Sequence, residues 1–141
     1  TIDMELAEYR SGSESLSGTY AYKDLLDWSG RLALGTNSPA ESMNPFETFY
    51  AAVHRKLPDS ISSKTLQYKN ALTRNEALMG MTLWGAYANF EEAEKGSIEV
   101  GKFADFIILD QDIMKVDIDK VIETRIVATI LNGKIVFSNR L

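Results

Sequence analysis

The sequence of 141 residues contains no cysteine and only one histidine. Without cysteine the chain can form no disulfide and can offer no thiolate to a metal ion. The lack of cysteine fits a reducing compartment, and we expect a cytoplasmic location. A single histidine, His54, limits the metal chemistry that the chain can perform alone.

The sequence has too few basic residues for a nucleic-acid-binding protein, and its hydrophobic runs are too short for a membrane-spanning one. Lysine and arginine number 15 against 20 acidic residues, which gives a net charge of -5. Phosphate binding needs a basic face, and no local cluster of basic residues provides one, so we expect no nucleic-acid partner. No apolar run approaches the roughly 18 residues of a membrane-spanning helix, so we expect no membrane partner.

The residues that are present are typical of a folded soluble protein. Hydrophobic residues make up 45% of the chain and charged residues 25%, which allows a sizeable core. The length suits one domain, or one domain with a small companion. The chain begins with Thr1 rather than methionine, within a polar stretch, and we expect it to be part of a longer protein.

The segment from Arg31 to Glu41 is the centre of the prediction for the first half of the chain. Its apolar start, Leu32-Ala33-Leu34, does not alternate with polar residues, which predicts a strand buried on both faces. Gly35 ends this strand, and a polar loop then leads to a helix. Loops of this kind carry the active sites of α/β proteins. The polar candidates in the loop are Thr36, Asn37, Ser38 and Glu41.

Helices are predicted on both sides of this segment. The first covers 20–29 and ends at Gly30, because glycine readily adopts the left-handed conformation after a helix. The second begins at Asn44-Pro45, where Asn44 can cap the helix and Glu47 can reach back as in a capping box. Helix, strand, loop and helix in this order indicate a parallel α/β unit.

A longer helix is predicted to begin at the capping box Thr73–Glu76, to continue to about Glu94 and to be closed by Gly96. Its predicted buried face consists of four residues at helical spacing: Ala77, Met81, Trp84 and Ala88. Two polar stretches are predicted as loops, namely 1–19, with a short helical turn around 3–9, and 58–64.

After Gly96 the pattern changes to short strands. An acidic connection, 110–119, separates the first two of these strands from the last two, and Asn132-Gly133 predicts a tight hairpin. A β unit of three or four strands with one apolar face is stable only when something covers that face. The predicted strands are 98–100, 104–109, 125–131 and 134–137.

Several motifs of the chain resemble those of a known family. The run Gly-Ser-Ile-Glu-Val-Gly-Lys-Phe-Ala-Asp at 96–105 resembles the closing signature of the metal-dependent amidohydrolases. From Leu32 onward, Ala-Leu-Gly-Thr-Asn-Ser-Pro-Ala-Glu, Asn-Pro-Phe and Ala-Ala-Val-His-Arg follow in order. This order resembles the YtcJ-like or N-substituted formamide deformylase branch, which is amidohydrolase family 3. With the final hairpin at 130–136, the resemblance covers nearly the whole chain.

The resemblance implies an α/β fold, namely the C-terminal part of a (β/α)8 TIM barrel followed by half of a small β-sandwich. Residues 1–95 would supply the last one or two β/α units of the barrel. Residues 96–141 would supply C-terminal strands of a composite sandwich that the enzyme's N-terminus completes. A complete barrel needs about 250 residues, so this chain cannot close one.

In this family an aspartate at the end of the eighth barrel strand binds the metal and takes a proton from water, and the matching position here is Asn37. A carboxamide cannot accept that proton, so one interpretation is a site damaged or retuned by the change. The other interpretation is that Asn37 is a turn residue that tolerates left-handed angles. By resemblance, Ser38, Pro39 and Glu41 would line the barrel mouth and bind substrate.

The family's other metal ligands lie on strands outside this chain. We therefore expect no metal site within it, and a divalent metal, zinc, in the parent enzyme. We expect His54, at a position that the family pattern leaves variable, to be solvated or to cap its helix. A solvated connection is also expected for four aspartates that lack the glycine and closing glutamate of a calcium-binding EF-hand, namely Asp110, Asp112, Asp117 and Asp119.

The resemblance implies a C-terminal fragment, inactive alone, of a hydrolase that cleaves C–N bonds of small-molecule amides or formamides with metal-activated water. The alternative is a non-catalytic pseudoenzyme or a regulatory and interaction module, because Asn37 would disable even the parent. Some relatives in this branch are labelled exoenzyme regulatory proteins. Because its neighbours in barrel and sandwich are missing, the chain is also expected to self-associate through exposed strand edges.

Overall fold

The computed structural model describes residues 9–10, 19–56 and 67–139. The loop predicted at 58–64, and the one at 1–19 apart from residues 9–10 and 19, lie outside the described residues. The helices are α1 (Tyr22–Ser29), α2 (Pro45–His54), α3 (Arg74–Met81) and α4 (Leu83–Ala88). The strands are β1 (Phe106–Leu109), β2 (Ile126–Leu131) and β3 (Lys134–Ser138), and the 3-10 helices are Tyr68–Asn70 and Ile118–Glu123.

The predicted ends of the first two helices are confirmed by their hydrogen bonds. Gly30 adopts φ 75° after α1 and donates its N–H to the carbonyl of Leu26 over 2.7 Å. The Asn44 side chain accepts the N–H of Phe46 at the start of α2. The predicted reach of Glu47 back to Asn44 is not made, because its carboxylate accepts the hydroxyl of Ser42 instead, at 3.1 Å.

The single helix predicted from 73 to about 94 was wrong in its length. The capping box is present, since the Thr73 N–H donates to Glu76 and the Glu76 N–H donates to the Thr73 hydroxyl. The helix breaks at Thr82, whose φ of -127° and ψ of -90° are not helical, and the second piece ends at Ala88. Two glycines near the break, at 80 and 85, weaken a continuous helix.

The break changes the predicted buried face. Ala77 is fully buried and Trp84 is 8% exposed, as predicted. Met81 is half-buried and packs against the core, whereas Ala88, which lies beyond the break at Thr82, is exposed. Ala86 takes the buried place in the second piece instead.

The C-terminal part forms a three-stranded antiparallel sheet with the order β1-β2-β3. The predicted hairpin is confirmed, with Asn132 and Gly133 both at positive φ, 48° and 75°, as a type I′ turn requires. The strand predicted at 98–100 does not form. Ile98 and Val100 are exposed, and the described part of the chain supplies no strand beside them.

The strand predicted from Arg31 to Leu34 is extended but pairs with no strand in the described ranges. Its burial alternates, which corrects the prediction of a strand buried on both faces. Leu32 and Leu34 are half-buried, whereas Arg31 and Ala33 are exposed. Leu32 and Leu34 pack against the hydrophobic core, whereas the side chains of Arg31 and Ala33 remain largely accessible to solvent.

The core lies between the helices and the 3-10 helix Ile118–Glu123. The buried residues of this cluster are Leu26, Phe46, Phe49, Leu72, Ala77, Trp84 and Val121. Hydrogen bonds also join α3 to the segment that precedes this 3-10 helix. The guanidinium of Arg74 donates to the carbonyls of Ile113 and Val116, each over 2.6 Å. The fold is thus a helical layer that packs against a small sheet. No candidate for a membrane-spanning helix is found among the described residues.

Candidate functional site

The loop that follows the segment 31–34 forms a tight turn at Asn37. Asn37 adopts φ 56°, and its carbonyl accepts the N–H groups of Ala40 and Glu41 at 3.1 and 3.2 Å. Asparagine is one of the few residues other than glycine that tolerate this left-handed conformation. The conformation is the one that the turn-residue interpretation of Asn37 requires.

The candidate side chains of this turn face outward. Asn37, Ser38 and Pro39 are exposed, and Glu41 is half-buried. The peptide bond between Ser38 and Pro39 is cis. The turn therefore brings Asn37, Ser38, Pro39 and Glu41 into one short surface loop, whose polar groups include an amide, a hydroxyl and a carboxylate.

The segment that carries the loop is anchored before it by two contacts that the sequence pattern did not predict. The Ser29 hydroxyl donates to the carbonyl of Arg31 over 2.7 Å. The Arg31 guanidinium lies 4.0 Å from the centre of the Tyr87 ring, a cation–π contact. Residues 31 and 87 are far apart in the sequence, and no local motif indicates their contact.

The loop is also held at its C-terminal side, at the start of α2. The Ser42 hydroxyl accepts the N–H of Asn44 at 3.2 Å and donates to Glu47. Asn44 in turn caps the first turn of the helix. The candidate loop is thus a surface turn between two anchored ends.

The donor set of this loop does not by itself fit a catalytic metal. Nowhere in the part of the chain that the structure describes do three or more histidine, cysteine, aspartate or glutamate residues converge closely enough to hold an ion. Asn37 and Ser38 offer only neutral oxygens, and Glu41 is the only carboxylate of the loop. Zinc sites in enzymes usually have three protein ligands from histidine, cysteine or carboxylate side chains.

His54 lies against an aromatic ring. It is the last residue of α2, not a mid-helix residue, because Arg55 turns into the left-handed conformation directly after it. Its ring centroid lies 5.2 Å from that of Tyr50. His54 is half-buried at the end of its helix, and the expectation that it is solvated or caps the helix stays a prediction.

Two aspartates of the acidic connection accept backbone N–H groups two residues further along the chain. Asp112 accepts the N–H of Met114, and Asp117 accepts the N–H of Asp119. The Met114 N–H and the Lys115 ammonium lower the pKa of Asp112. These carboxylates cap turns of the connection, which is their visible structural role.

The chain matches a known protein family over nearly its whole length. The sequence profile of the amidohydrolase family matches residues 1–137, which include the Asn37 loop and all of the three-stranded sheet except Ser138. The chain belongs to the amidohydrolase family. The match confirms the family resemblance of the motifs at 32–55 and 96–105.

Individual relatives point to the same family. The chain is 29% identical over 114 residues to an N-substituted formamide deformylase of Arthrobacter pascens, with 81% of this chain and 20% of that protein covered. It is 27% identical over 128 residues to the putative amidohydrolase YtcJ of Bacillus subtilis (91% and 24%). It is 32% identical over 150 positions to a 5-methylthioadenosine/S-adenosylhomocysteine deaminase of Thermoanaerobacter pseudethanolicus (92% and 31%).

The chain spans only between 20% and 31% of the length of these three relatives. No solved structure matches it significantly. The activities of the relatives therefore belong to polypeptides of which this chain resembles a minor part.

Proposed function

We propose that this chain is the C-terminal part of a hydrolase that cleaves C–N bonds of small-molecule amides or formamides. The observation that carries this proposal is the family match over residues 1–137, with a turn at Asn37 directly after the extended segment 31–34. Two relatives support the reaction class by their names, one a formamide deformylase and the other a deaminase. Both names describe the removal of a group across a C–N bond.

We infer that the rest of the parent enzyme completes both parts of this structure. Residues 1–95 would add the last one or two β/α units to a TIM barrel. The segment 31–34, which pairs with no strand in the described ranges, supports this placement. Residues 96–141 would add strands to a composite sandwich, which the exposed apolar residues of β1 and β3 support.

We propose that the metal ligands of the parent lie outside this chain, because the donor set of its loop does not fit a metal by itself. The expected metal is divalent, with zinc as the first choice. Asn37, at the place where the family carries aspartate, would then be a retuned position beside that site. Ser38, Pro39 and Glu41 would line the substrate side of the loop.

The chain alone is expected to be inactive, and a direct assay tests this. The purified chain is incubated with zinc and with an N-substituted formamide, and formate release and bound zinc are measured. We expect neither turnover nor stoichiometric zinc. One zinc per chain together with formate release would overturn the assignment of the catalytic metal site to the rest of the parent.

A non-catalytic module is the second candidate, and the carboxamide at Asn37 favours it. A carboxamide cannot take a proton from attacking water. The Asn37→Asp variant of the full-length parent separates the two candidates. A retuned enzyme hydrolyses amides with asparagine and changes its rate with aspartate. A module that lacks the other metal ligands of the family hydrolyses nothing in either form.

A further inference from the structure

Gly80 occupies a helical position where the fold leaves no room for a side chain. It lies buried in the last turn of α3, although glycine is a poor helix former compared with alanine. A Cβ atom added at Gly80 would lie 2.8 Å from Cγ of Leu34 and 2.9 Å from the carbonyl oxygen of Leu32. Both distances are shorter than a carbon contact allows, so the segment 31–34 approaches α3 closely because residue 80 is glycine.

The same residue binds the segment through its backbone. The last carbonyls of a helix have no partner within the helix and must find one elsewhere. At the end of α3, Thr82 donates its N–H to Met79 and its hydroxyl to Leu78. The carbonyl of Gly80 accepts the N–H of Leu34 at 2.9 Å. The helix end thus holds the extended segment by a hydrogen bond as well as by close packing.

This contact lies next to the candidate site. Only Gly35 and Thr36 separate Leu34 from Asn37, whereas the hydrogen bond and the cation–π contact at Arg31 lie at the other end of the segment. A displacement of Leu34 therefore reaches the Asn37 turn directly. Among the anchors before the turn, the one at Gly80 is the closest to it in sequence.

We propose that Gly80 is a positioning residue, which sets the depth of segment 31–34 on α3 and thereby the place of the Asn37 turn. Its relevance to catalysis rests on the proposed function. Its relevance to structure does not, since the contacts at Leu34 exist in this chain whatever reaction the parent performs.

Two glycine-to-alanine variants form a matched pair for the test. Gly80→Ala and Gly85→Ala both place a better helix former in a short helix. At Gly85 the added Cβ would meet only the Gly80 carbonyl oxygen, at 3.9 Å, which is an ordinary contact. Only Gly80→Ala must move the extended segment.

The structural readout is amide hydrogen exchange at Leu34 in the whole chain. We expect exchange at this N–H to become about tenfold faster or more in Gly80→Ala and to stay unchanged in Gly85→Ala, because only the first variant stretches the hydrogen bond to residue 80. Equal protection in both variants would overturn the proposal.

A second background keeps the test valid if Gly80→Ala folds poorly. Leu34→Ala removes Cγ and Cδ1, two of the three atoms nearest to the added Cβ. Gly80→Ala should therefore destabilise the Leu34→Ala chain less than it destabilises the wild type, as a double-mutant cycle measures. An equal loss of stability in both backgrounds would show that Leu34 is not what Gly80 accommodates.

The functional readout is steady-state kinetics of the full-length parent. We expect Gly80→Ala to lower kcat about tenfold to a hundredfold with little change in KM, and Gly85→Ala to leave both unchanged. A purely structural role would lower the melting temperature and leave kcat intact below it, and this outcome would overturn the proposal. If the wild-type parent hydrolyses nothing, the proposed function fails, and the exchange at Leu34 still decides whether Gly80 positions the turn.

Discussion

At the scale of single residues, Asn37 has both a left-handed backbone conformation and an exposed polar side chain at the candidate site. Its backbone adopts φ 56° and closes the turn onto Ala40 and Glu41. Its side chain is exposed at the position where the family resemblance expects an aspartate. Asparagine and aspartate are both suited to left-handed turns, so the backbone explains a polar residue of this kind but not the choice between them.

A substitution series at Asn37 tests the backbone role. We expect Asn37→Ala to lower the free energy of unfolding by about 1–2 kcal/mol, because alanine pays a steric cost at positive φ. Asn37→Gly should cost less than about 1 kcal/mol, since glycine pays no such cost and loses only unfolded-state entropy. Urea unfolding of the three chains measures the difference. Equal stability of the alanine and glycine variants would contradict a strained turn.

Tyr50 joins α2 to the 3-10 helix Ile118–Glu123. Its hydroxyl donates to the carboxylate of Asp119 over 3.1 Å, and its side chain is 4% exposed. Burial, with the hydrogen bond to Asp119, raises the pKa of Tyr50 to about 12 from an ordinary 10.0. The folded state therefore favours the neutral phenol.

This raised pKa gives a prediction with a definite pH window. Tyr50→Phe should lower the free energy of unfolding by about 1–2 kcal/mol at neutral pH, through the lost hydrogen bond to a carboxylate. Because the pKa of Tyr50 is higher in the folded state, the contribution is complete below pH 10 and is lost as the pH rises through about 12. Urea titrations at several pH values measure it. A difference between the two proteins that does not shrink above pH 10 would refute this role.

At the scale of elements, the start of α3 is stabilised by a network of three residues. Thr73 and Glu76 cap the helix reciprocally, and the ammonium of Lys23 on α1 lies 2.7 Å from the Glu76 carboxylate. Burial opposes the ionisation of Glu76, but Lys23 and the Thr73 N–H and hydroxyl outweigh burial and lower its pKa. The network connects the first helix to the third.

Because the pKa of Glu76 is lowered in the folded state, the stability of the protein should fall as the pH becomes acidic. A depressed folded-state pKa stabilises the protein above the unfolded pKa, and this stabilisation is lost as the pH falls through the folded pKa. Glu76→Gln should therefore be less stable than the wild type at pH 7 and should approach it at pH 3. Thermal melts at both pH values provide the measurement, with Glu47→Gln as a control carboxylate outside the network. A constant gap at both pH values would exclude the ionised network.

Local signals made some elements predictable from the sequence. The cap at Asn44, the capping box at Thr73 and the Asn132-Gly133 hairpin depend on residues within a few positions of each other, and all three are confirmed. The helix break at Thr82 was missed, although Gly80 and Gly85 on either side of it weaken a continuous helix. The strand at 98–100 was predicted from local alternation, but a strand needs a partner, and the described chain does not supply one.

The candidate site was predictable only as a position along the chain. The motif order placed Asn37, Ser38, Pro39 and Glu41 in one loop, and the structure has them in one turn. The contacts that hold this turn, from Tyr87 to Arg31 and from Gly80 to Leu34, join residues about fifty positions apart. Such contacts have no local signature.

At the scale of the whole molecule, the sheet leaves much of its apolar surface uncovered. Ile135 and Val136 of the edge strand β3 are 70% and 58% exposed, and Ile107 and Phe137 are also exposed. Apart from Lys134 at its start, β3 has no charged residue and no proline, and an edge strand with apolar side chains invites pairing with another chain. We therefore propose that the isolated chain self-associates through this sheet.

Light scattering across a range of concentrations tests the self-association. We expect the apparent mass of the isolated chain to exceed that of a monomer at about tens of micromolar, because proteins with exposed strand edges aggregate at such concentrations. Val136→Lys, which places a charge on the edge strand, should return the mass to that of a monomer. A monomer in the wild type, or an unchanged oligomer in Val136→Lys, would contradict association through β3.

The central claim is that this chain completes a C–N hydrolase of the amidohydrolase family. The most direct measurement is formate release from an N-substituted formamide by the full-length parent, assayed beside the same parent truncated before Thr1. We expect turnover by the full-length protein and none by the truncated one, since the proposed barrel would lack its final units. No turnover by the full-length protein on formamide or amide substrates, or full turnover after truncation, would contradict it.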